Sequence, residues 1–206
     1  VEEVGRIHGY DRVPVSEQLC GPLPATAGGD YDEQRRLRHT LTELGLDEAI
    51  TSSIVADTWA ESAGPVGCRL ANPPTDGVSC MRTSLVPGLL DVARRNLRQR
   101  APGVALFEVG RVFLPDTAGT GGAHHEPRQV AGGLTGLTSP SPWRSEQRPG
   151  GFLDLKGIVE QLLLGVSAVT YAPVETPLLR RGHAAMITIG DADLGTIGQV
   201  APHLTA

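Results

Sequence analysis

Met81-Arg82-Thr83-Ser84-Leu85-Val86-Pro87-Gly88-Leu89-Leu90 is the stretch from which the fold is read. A polar run gives way to Pro-Gly and then to an apolar pattern. Pro87 suits the first turn of a helix, where its ring presets φ and its missing N–H would have had no intrahelical partner. From Val86 to Gln99 the apolar residues Val86, Leu89, Leu90, Ala93 and Leu97 recur at helical spacing. Arg94, Arg95, Arg98 and Arg100 crowd the other side and the last turns of this helix. Arg82 and Ser84, beside the helix start, can either hold an anion or buttress the turn.

Downstream, Val104–Leu114 (VALFEVGRVFL) reads as a strand with Phe107, Val109 and Phe113 as core candidates. A Gly-rich loop over Pro115–His125 precedes a small-residue strand at Gln129–Leu137. After the Pro-rich stretch Thr138–Gly151, a helix is expected over Asp154–Leu164 with Ile158, Val159, Leu162 and Leu163 inward. Strands are expected at Val169–Ala172, Ala184–Ile189 and Leu194–Val200, with a turn at Gly190-Asp191-Ala192-Asp193.

Upstream lie a strand at Cys68–Ala71 before the Asn72-Pro73-Pro74 turn, a short helix at Thr58–Ala63, and a β-branched strand at Glu48–Val55 (EAITSSIV). Before these a helix is signalled by Asp30 as N-cap, Glu33 in capping-box register, Leu37, Leu41 and Leu44 on one face, and Gly45 as its stop. Residues Val15–Gly29 have the punctuation of a linker, and Val1–Pro14 reads as the tail of a preceding helix. Helices interspersed with hairpin-joined strands give an α+β fold with a mostly antiparallel sheet.

Composition agrees. The 26 glycines and 16 prolines make about a fifth of the 206 residues, which implies many turns and short elements. With 40% apolar residues the chain can bury a sizeable core. A net charge of −5 supplies no global attraction to nucleic acid. Cys20, Cys68 and Cys80 fit neither a disulfide framework nor a CxxC metal site, so a reducing, cytoplasmic setting is expected. No apolar run approaches the roughly 18 residues of a membrane span, so a soluble protein is expected. The start at Val1 and the unpunctuated end at Ala206 read as a piece of something longer.

Few constellations suggest chemistry. His124-His125-Glu126 is a candidate metal cluster for a stand-alone metal-dependent hydrolase, but neighbouring residues on an extended chain point to opposite sides, and a solvated loop is the plainer reading. Gly5-Arg6-Ile7-His8-Gly9 lacks the Lys-Ser/Thr of a phosphate loop. His39, His183 and His203 sit in unrelated contexts, and no nucleophile is assignable. Arg94, Arg95 and Arg98 are candidate phosphate contacts for a tRNA-binding module, because guanidinium forks match phosphate oxygens. A solvated helix end, favoured by the dipole, is the plainer reading. Glu2 and Glu3 are a candidate carboxylate pair for Mg2+, against the alternative of a charged helix end.

Several motifs in order resemble the β subunit of bacterial phenylalanyl-tRNA synthetase. Glu2-Glu3-Val4-x-Arg6-Ile7-x-Gly9-Tyr10-Asp11-x-Val13-Pro14 is similar to the end of that family's B5 domain. Its catalytic-like module is resembled, in sequence, by Gly45-Leu46-x-Glu48-Ala49-Ile50-Thr51, Leu70-x-Asn72-Pro73, the Met81–Leu90 stretch and Leu106-Phe107-Glu108-Val109-Gly110-x-Val112-Phe113. Trp143, then Phe152-Leu153-Asp154-Leu155-Lys156-Gly157-x-Val159-Glu160, and finally Leu194-Gly195-x-Ile197-Gly198-x-Val200-x-Pro202 complete the series.

The resemblance implies an antiparallel sheet flanked by helices, of the class II aminoacyl-tRNA synthetase type. It divides the chain into a B5 remnant at 1–14, a linker at 15–29 and the catalytic-like module at 30–206. It implies a subunit that joins a catalytic α subunit in an (αβ)2 heterotetramer for ATP-dependent charging of tRNA-Phe with phenylalanine. There the α subunit uses ATP, and the β module is a scaffold without an active site of its own. Arg82 and Phe107-Glu108 are then framework, with Arg82 salt-bridged inside the module. Glu2 and Glu3 match the last pair of a Mg2+ site whose aspartates lie upstream of Val1. Leu179-Arg180-Arg181-Gly182-His183-Ala184 departs from the family's usual His-Pro-Gly-Arg-Ser-Ala.

Overall fold

The computed structural model describes residues 2–14, 30–62, 68–115, 125–137 and 148–205. The stretch read as a linker, 15–29, lies outside them, as do Cys20, His124 and Trp143. Two compact units are present, Val1–Glu33 and Gln34–Ala206. In the first, helix α1 (Glu2–His8) carries Glu2 and Glu3 in its first turn and Arg6 in its last, charges that complement the helix dipole. A 3-10 turn follows at Tyr10–Arg12. None of the residues of α1 is buried.

Helix α2 (Asp30–Glu43) runs into the second unit and ends as its sequence signals. Gly45 has φ +87°, a left-handed conformation that a side chain would oppose. Its N–H donates to Thr42 O at 2.9 Å while Leu46 N–H reaches back to Leu41 O at 3.1 Å. This paired closure is a Schellman motif, and the apolar contact that accompanies such motifs is made by Leu41 and Leu46, both 2% exposed.

The spine of the unit is strand β4 (Gly103–Arg111), whose consecutive residues Leu106, Phe107 and Glu108 are all buried. Alternating side chains of a strand point to opposite faces, so β4 is covered on both. On one face Phe107 packs with Leu41 and Leu46, joined by Ile158 and Leu162. On the other, Leu106 packs with Ala49 and Leu89. Leu89 comes from α4 (Val86–Arg98), and Ile158 and Leu162 from α5 (Phe152–Leu162).

Strand β5 (Arg128–Gly136) pairs antiparallel with β4 along its whole length, and the two-residue β1 (Asp47–Glu48) pairs parallel on the other side. A second ribbon joins β2 (Ile54–Val55) to β3 (Cys80–Met81), with the short helix α3 (Asp57–Ser62) between them in sequence. The last third of the chain is a meander of β6 (Val169–Pro173), β7 (Leu179–Ile189) and β8 (Ala192–Val200), closed by a 3-10 turn at Pro202–Leu204. Apart from β1, the strand pairings are antiparallel, as expected.

The structure departs from the sequence reading at definite places. Glu48–Val55 is not one strand: it is β1 and β2, and the chain between them turns inward so that Thr51 meets Glu108. Cys68–Ala71 does not form a full strand; Arg69 makes a single bridge to Cys80. Beyond Arg111 the strand stops, and Val112, rather than Phe113, is the fully buried residue. The departure at Arg180–His183 is a β-bulge: Leu179 pairs with Val200 and Ala184 with Gly198, so four residues of β7 face Gln199 alone. Gly182, at φ +74°, accommodates the extra chain.

Candidate functional site

Among the described residues, the buried charged groups are Arg82, 5% exposed, and Glu108, 3% exposed. Removing two charges from water is costly unless each is paired and its remaining donors and acceptors are met. Here they are. Arg82 Nη1 donates to Glu108 Oε1 at 2.7 Å and to Thr51 Oγ1 at 3.0 Å. Arg82 Nε donates to Arg111 O at 3.0 Å. Thr51 Oγ1 donates in turn to Glu108 Oε2 at 2.7 Å, and Thr51 N–H to Glu108 Oε1 at 3.3 Å.

Main-chain bonds lock the same place. Arg82 N–H donates to Ser53 O at 2.9 Å, and Phe113 N–H to Arg82 O at 2.9 Å. One clamp therefore joins the β1–β2 connection, the segment entering α4, and β4. Two glycines make room for it. A Cβ on Gly110 would lie 2.5 Å from Arg82 Nη2, and one on Gly88 would lie 2.3 Å from Thr51 Oγ1. Arg82 is thus framework, as expected, and Ser84 accompanies the helix entry by accepting from Val86 N–H at 3.2 Å.

A second polar cluster fastens α3 to β3. Asp57 accepts from Ser79 Oγ at 2.8 Å, Ser79 N–H at 3.1 Å and Cys80 Sγ at 3.4 Å, and lies 3.3 Å from Arg69. The bonds from Ser79, aided by Arg69, hold the Asp57 carboxyl below its ordinary range. Burial, helped by the neighbouring Asp57, pushes the Cys80 thiol up and keeps it protonated.

Beside the clamp lies an open cleft of about 270 Å3, with Ile54, Val55, Trp59, Pro87 and Arg95 among its lining residues and Thr51 shared with the clamp. A smaller neighbour of about 180 Å3 lies between Trp59, Arg94, His203 and Leu204.

The candidates from sequence fall apart rather than together. Glu2 and Glu3 are exposed at the start of α1, and Glu3 is 3.0 Å from Arg6 of the next turn. Neighbouring helix positions project about 100° apart, so these two carboxylates alone do not fit a Mg2+ site. Among the described residues no group of three or more His, Cys, Asp or Glu side chains could hold a metal ion. The His125 main chain exchanges hydrogen bonds with Leu114 at 2.9 and 3.2 Å. Glu126 lies 3.6 Å from Arg111. These contacts extend the β4–β5 ribbon, so His125 and Glu126 act as strand-end residues. Arg95 and Arg98 are exposed on α4, and Arg94 is half-buried beside Trp59. Arg180 donates to Gln199 at 3.2 Å and Arg181 to Glu175 at 2.7 Å, so the bulge arginines serve their own hairpin. Thr51, Asp57 and Trp59 were not singled out by sequence; their partners are distant in the chain and no local pattern marks them.

The fold and these sites have relatives. The family described as phenylalanyl tRNA synthetase beta chain CLM domain matches residues 22–206. The phenylalanine–tRNA ligase beta subunit of Bacillus subtilis (strain 168) is 37% identical over 216 residues, which are 99% of this chain and 26% of that protein. The corresponding subunit of Bacillus thuringiensis subsp. konkukian (strain 97-27) is 36% identical over 98% of this chain and 26% of its own length. The chain thus spans about a quarter of these curated relatives. A pyrrolysyl-tRNA synthetase of Desulfitobacterium hafniense shares the fold with a TM-score of 0.55 at 19% identity, over 81% of this chain and 55% of that one. This places the α+β architecture in the class II aminoacyl-tRNA synthetase-like type. The match over 22–206 means that the chain belongs to the phenylalanyl-tRNA synthetase beta chain family, in the region of its CLM domain.

Proposed function

We propose that the chain is a non-catalytic scaffold within a phenylalanine–tRNA ligase, the assembly that charges tRNA-Phe with phenylalanine at the expense of ATP. In this reading residues 30–206 form the catalytic-like module, 1–14 are the end of a B5-like domain, and 15–29 connect them. The module docks a catalytic α subunit in an (αβ)2 heterotetramer in the cytoplasm, and the α subunit carries ATP. The observation that supports it best is the clamp. Arg82, Glu108 and Thr51 satisfy one another and the main chain, which makes them supports of the fold rather than groups poised toward a substrate.

Mg2+ belongs to the reaction of the whole assembly. Because Glu2 and Glu3 alone do not fit it, no step is assigned to it on this chain. No helix among the described residues is long and apolar enough to cross a membrane, and the reading needs none. Co-expression of the tagged chain with the α subunit of the same organism tests it: co-purification in constant stoichiometry is expected. An α subunit that elutes alone at micromolar concentrations of both would contradict it.

A further inference from the structure

The cleft of about 270 Å3 beside the clamp carries charge on one wall only. Of its lining residues Asp91 and Arg95 alone are charged, and the opposite wall is largely apolar, with Ile54, Val55 and Trp59. Asp91 and Arg95 stand four residues apart on α4, so their side chains rise from one face of the helix with about 5–6 Å between Cβ atoms. Opposite charges at this spacing attract, and Lys156 and Glu160 on α5 close into a pair. Asp91 and Arg95 do not. Arg95 Nε donates to the Asp91 main-chain O at 3.4 Å, and among the described residues neither side chain is in an ion pair.

An occupant of the cleft has to answer both charges. Hydrocarbon alone would take a carboxylate and a guanidinium out of water without partners, which is costly. A nucleotide or an RNA backbone would meet one cation and be repelled by Asp91. The lining suits instead a ligand with one ammonium and one carboxylate on neighbouring atoms and an apolar side chain. Its ammonium would donate to Asp91, its carboxylate would accept from the Arg95 guanidinium, and its side chain would lie against Ile54, Val55 and Trp59. Size agrees, because about 270 Å3 falls just below the roughly 300–1,000 Å3 of drug-sized sites and leaves room for a single amino acid.

We infer that this cleft binds a free amino acid with a large apolar side chain, held at its two charged ends by Asp91 and Arg95. The inference concerns the chain alone, so it and the docking role can each fail without the other. It is tested by following the indole N–H resonance of Trp59, identified through Trp59→Phe, as L-leucine, L-phenylalanine, L-serine, N-acetyl-L-phenylalanine and L-phenylalaninamide are titrated into the chain by itself. Saturable shifts are expected with leucine and phenylalanine, at a dissociation constant of about 1 mM or tighter. Serine lacks the apolar side chain, the acetyl derivative the ammonium and the amide the carboxylate. Each should bind at least about tenfold more weakly, the scale of one hydrogen bond to a charged group.

Asp91→Asn is expected to weaken phenylalanine to the level of the acetyl derivative, and Arg95→Gln to that of the amide. Melting temperatures should hold, because neither side chain ties the fold together through an ion pair. The absence of a saturable shift with leucine and phenylalanine at about ten times that concentration would overturn the inference. Equal affinity for phenylalanine and its acetyl derivative, or wild-type affinity in both variants, would reduce the cleft to an apolar groove and overturn it as well.

Discussion

Two arginine–carboxylate pairs in this chain are built from the same chemistry and do different things. Arg82 and Glu108 have side chains 6% and 3% exposed, whereas Arg148 and Asp154 are 61% and 22% exposed. The first pair is tied into three segments far apart in sequence. The second is local: Asp154 accepts from Gly151 N–H at 2.9 Å at the start of α5 and from Arg148 Nη1 at 2.7 Å. In water an ion pair gains little because the solvent competes for both charges. Out of water, each member becomes indispensable to the other. Burial, rather than the pairing itself, decides which of the two organises the module.

The comparison breaks most readily at Glu108. Glu108→Ala leaves the Arg82 guanidinium buried without its carboxylate and should cost about 3–5 kcal/mol of stability by chemical denaturation. Arg148→Ala should barely move the denaturation midpoint. Equal effects of the two substitutions would remove the distinction. A smaller loss is expected from Gly88→Ala, whose Cβ would lie 2.3 Å from Thr51 Oγ1. Overpacking of this kind costs about 1–3 kcal/mol, and Thr51→Ala in the same chain should return part of it, since the two sites are coupled.

The smallest effect belongs to the exposed pair and is lost in acid. Arg148, with Gly151 N–H, lowers Asp154 from 3.8 to about 2. A carboxylate depressed on folding contributes stability above its unfolded pKa and loses that contribution as pH falls through the folded one. The difference in melting temperature between wild type and Asp154→Asn should therefore be constant above about pH 4.5 and shrink between about pH 4 and pH 2. A difference independent of pH would contradict the role given to Arg148.

Much of the fold was legible in the sequence where the signals are local. Pro87-Gly88 and the spacing from Val86 to Leu97 marked α4, and Gly45 after Leu37, Leu41 and Leu44 marked the end of α2, because capping and amphipathic spacing act within a few residues. The clamp was half legible. Arg82 and Glu108 lie in recognisable blocks, but Thr51 sits in a stretch whose β-branched residues read as continuous strand. What bends that stretch is the carboxylate of Glu108, 57 positions away. The bulge at Arg180–His183 was visible only as a departure from a pattern, since the partner strand decides where extra residues are extruded. The cleft was not legible at all. Ile54, Trp59 and Pro87 belong to three different elements, β2, α3 and α4, and only their packing brings them together.

The central claim is that the buried charges support the fold and leave the chemistry to another subunit. Phenylalanine-dependent exchange of pyrophosphate into ATP, measured on the purified chain by itself, tests it most directly. The account predicts no exchange above the background of a heat-denatured sample with ATP, Mg2+ and phenylalanine in excess. Exchange that requires phenylalanine and is abolished by Glu108→Gln in a chain that remains folded would contradict it.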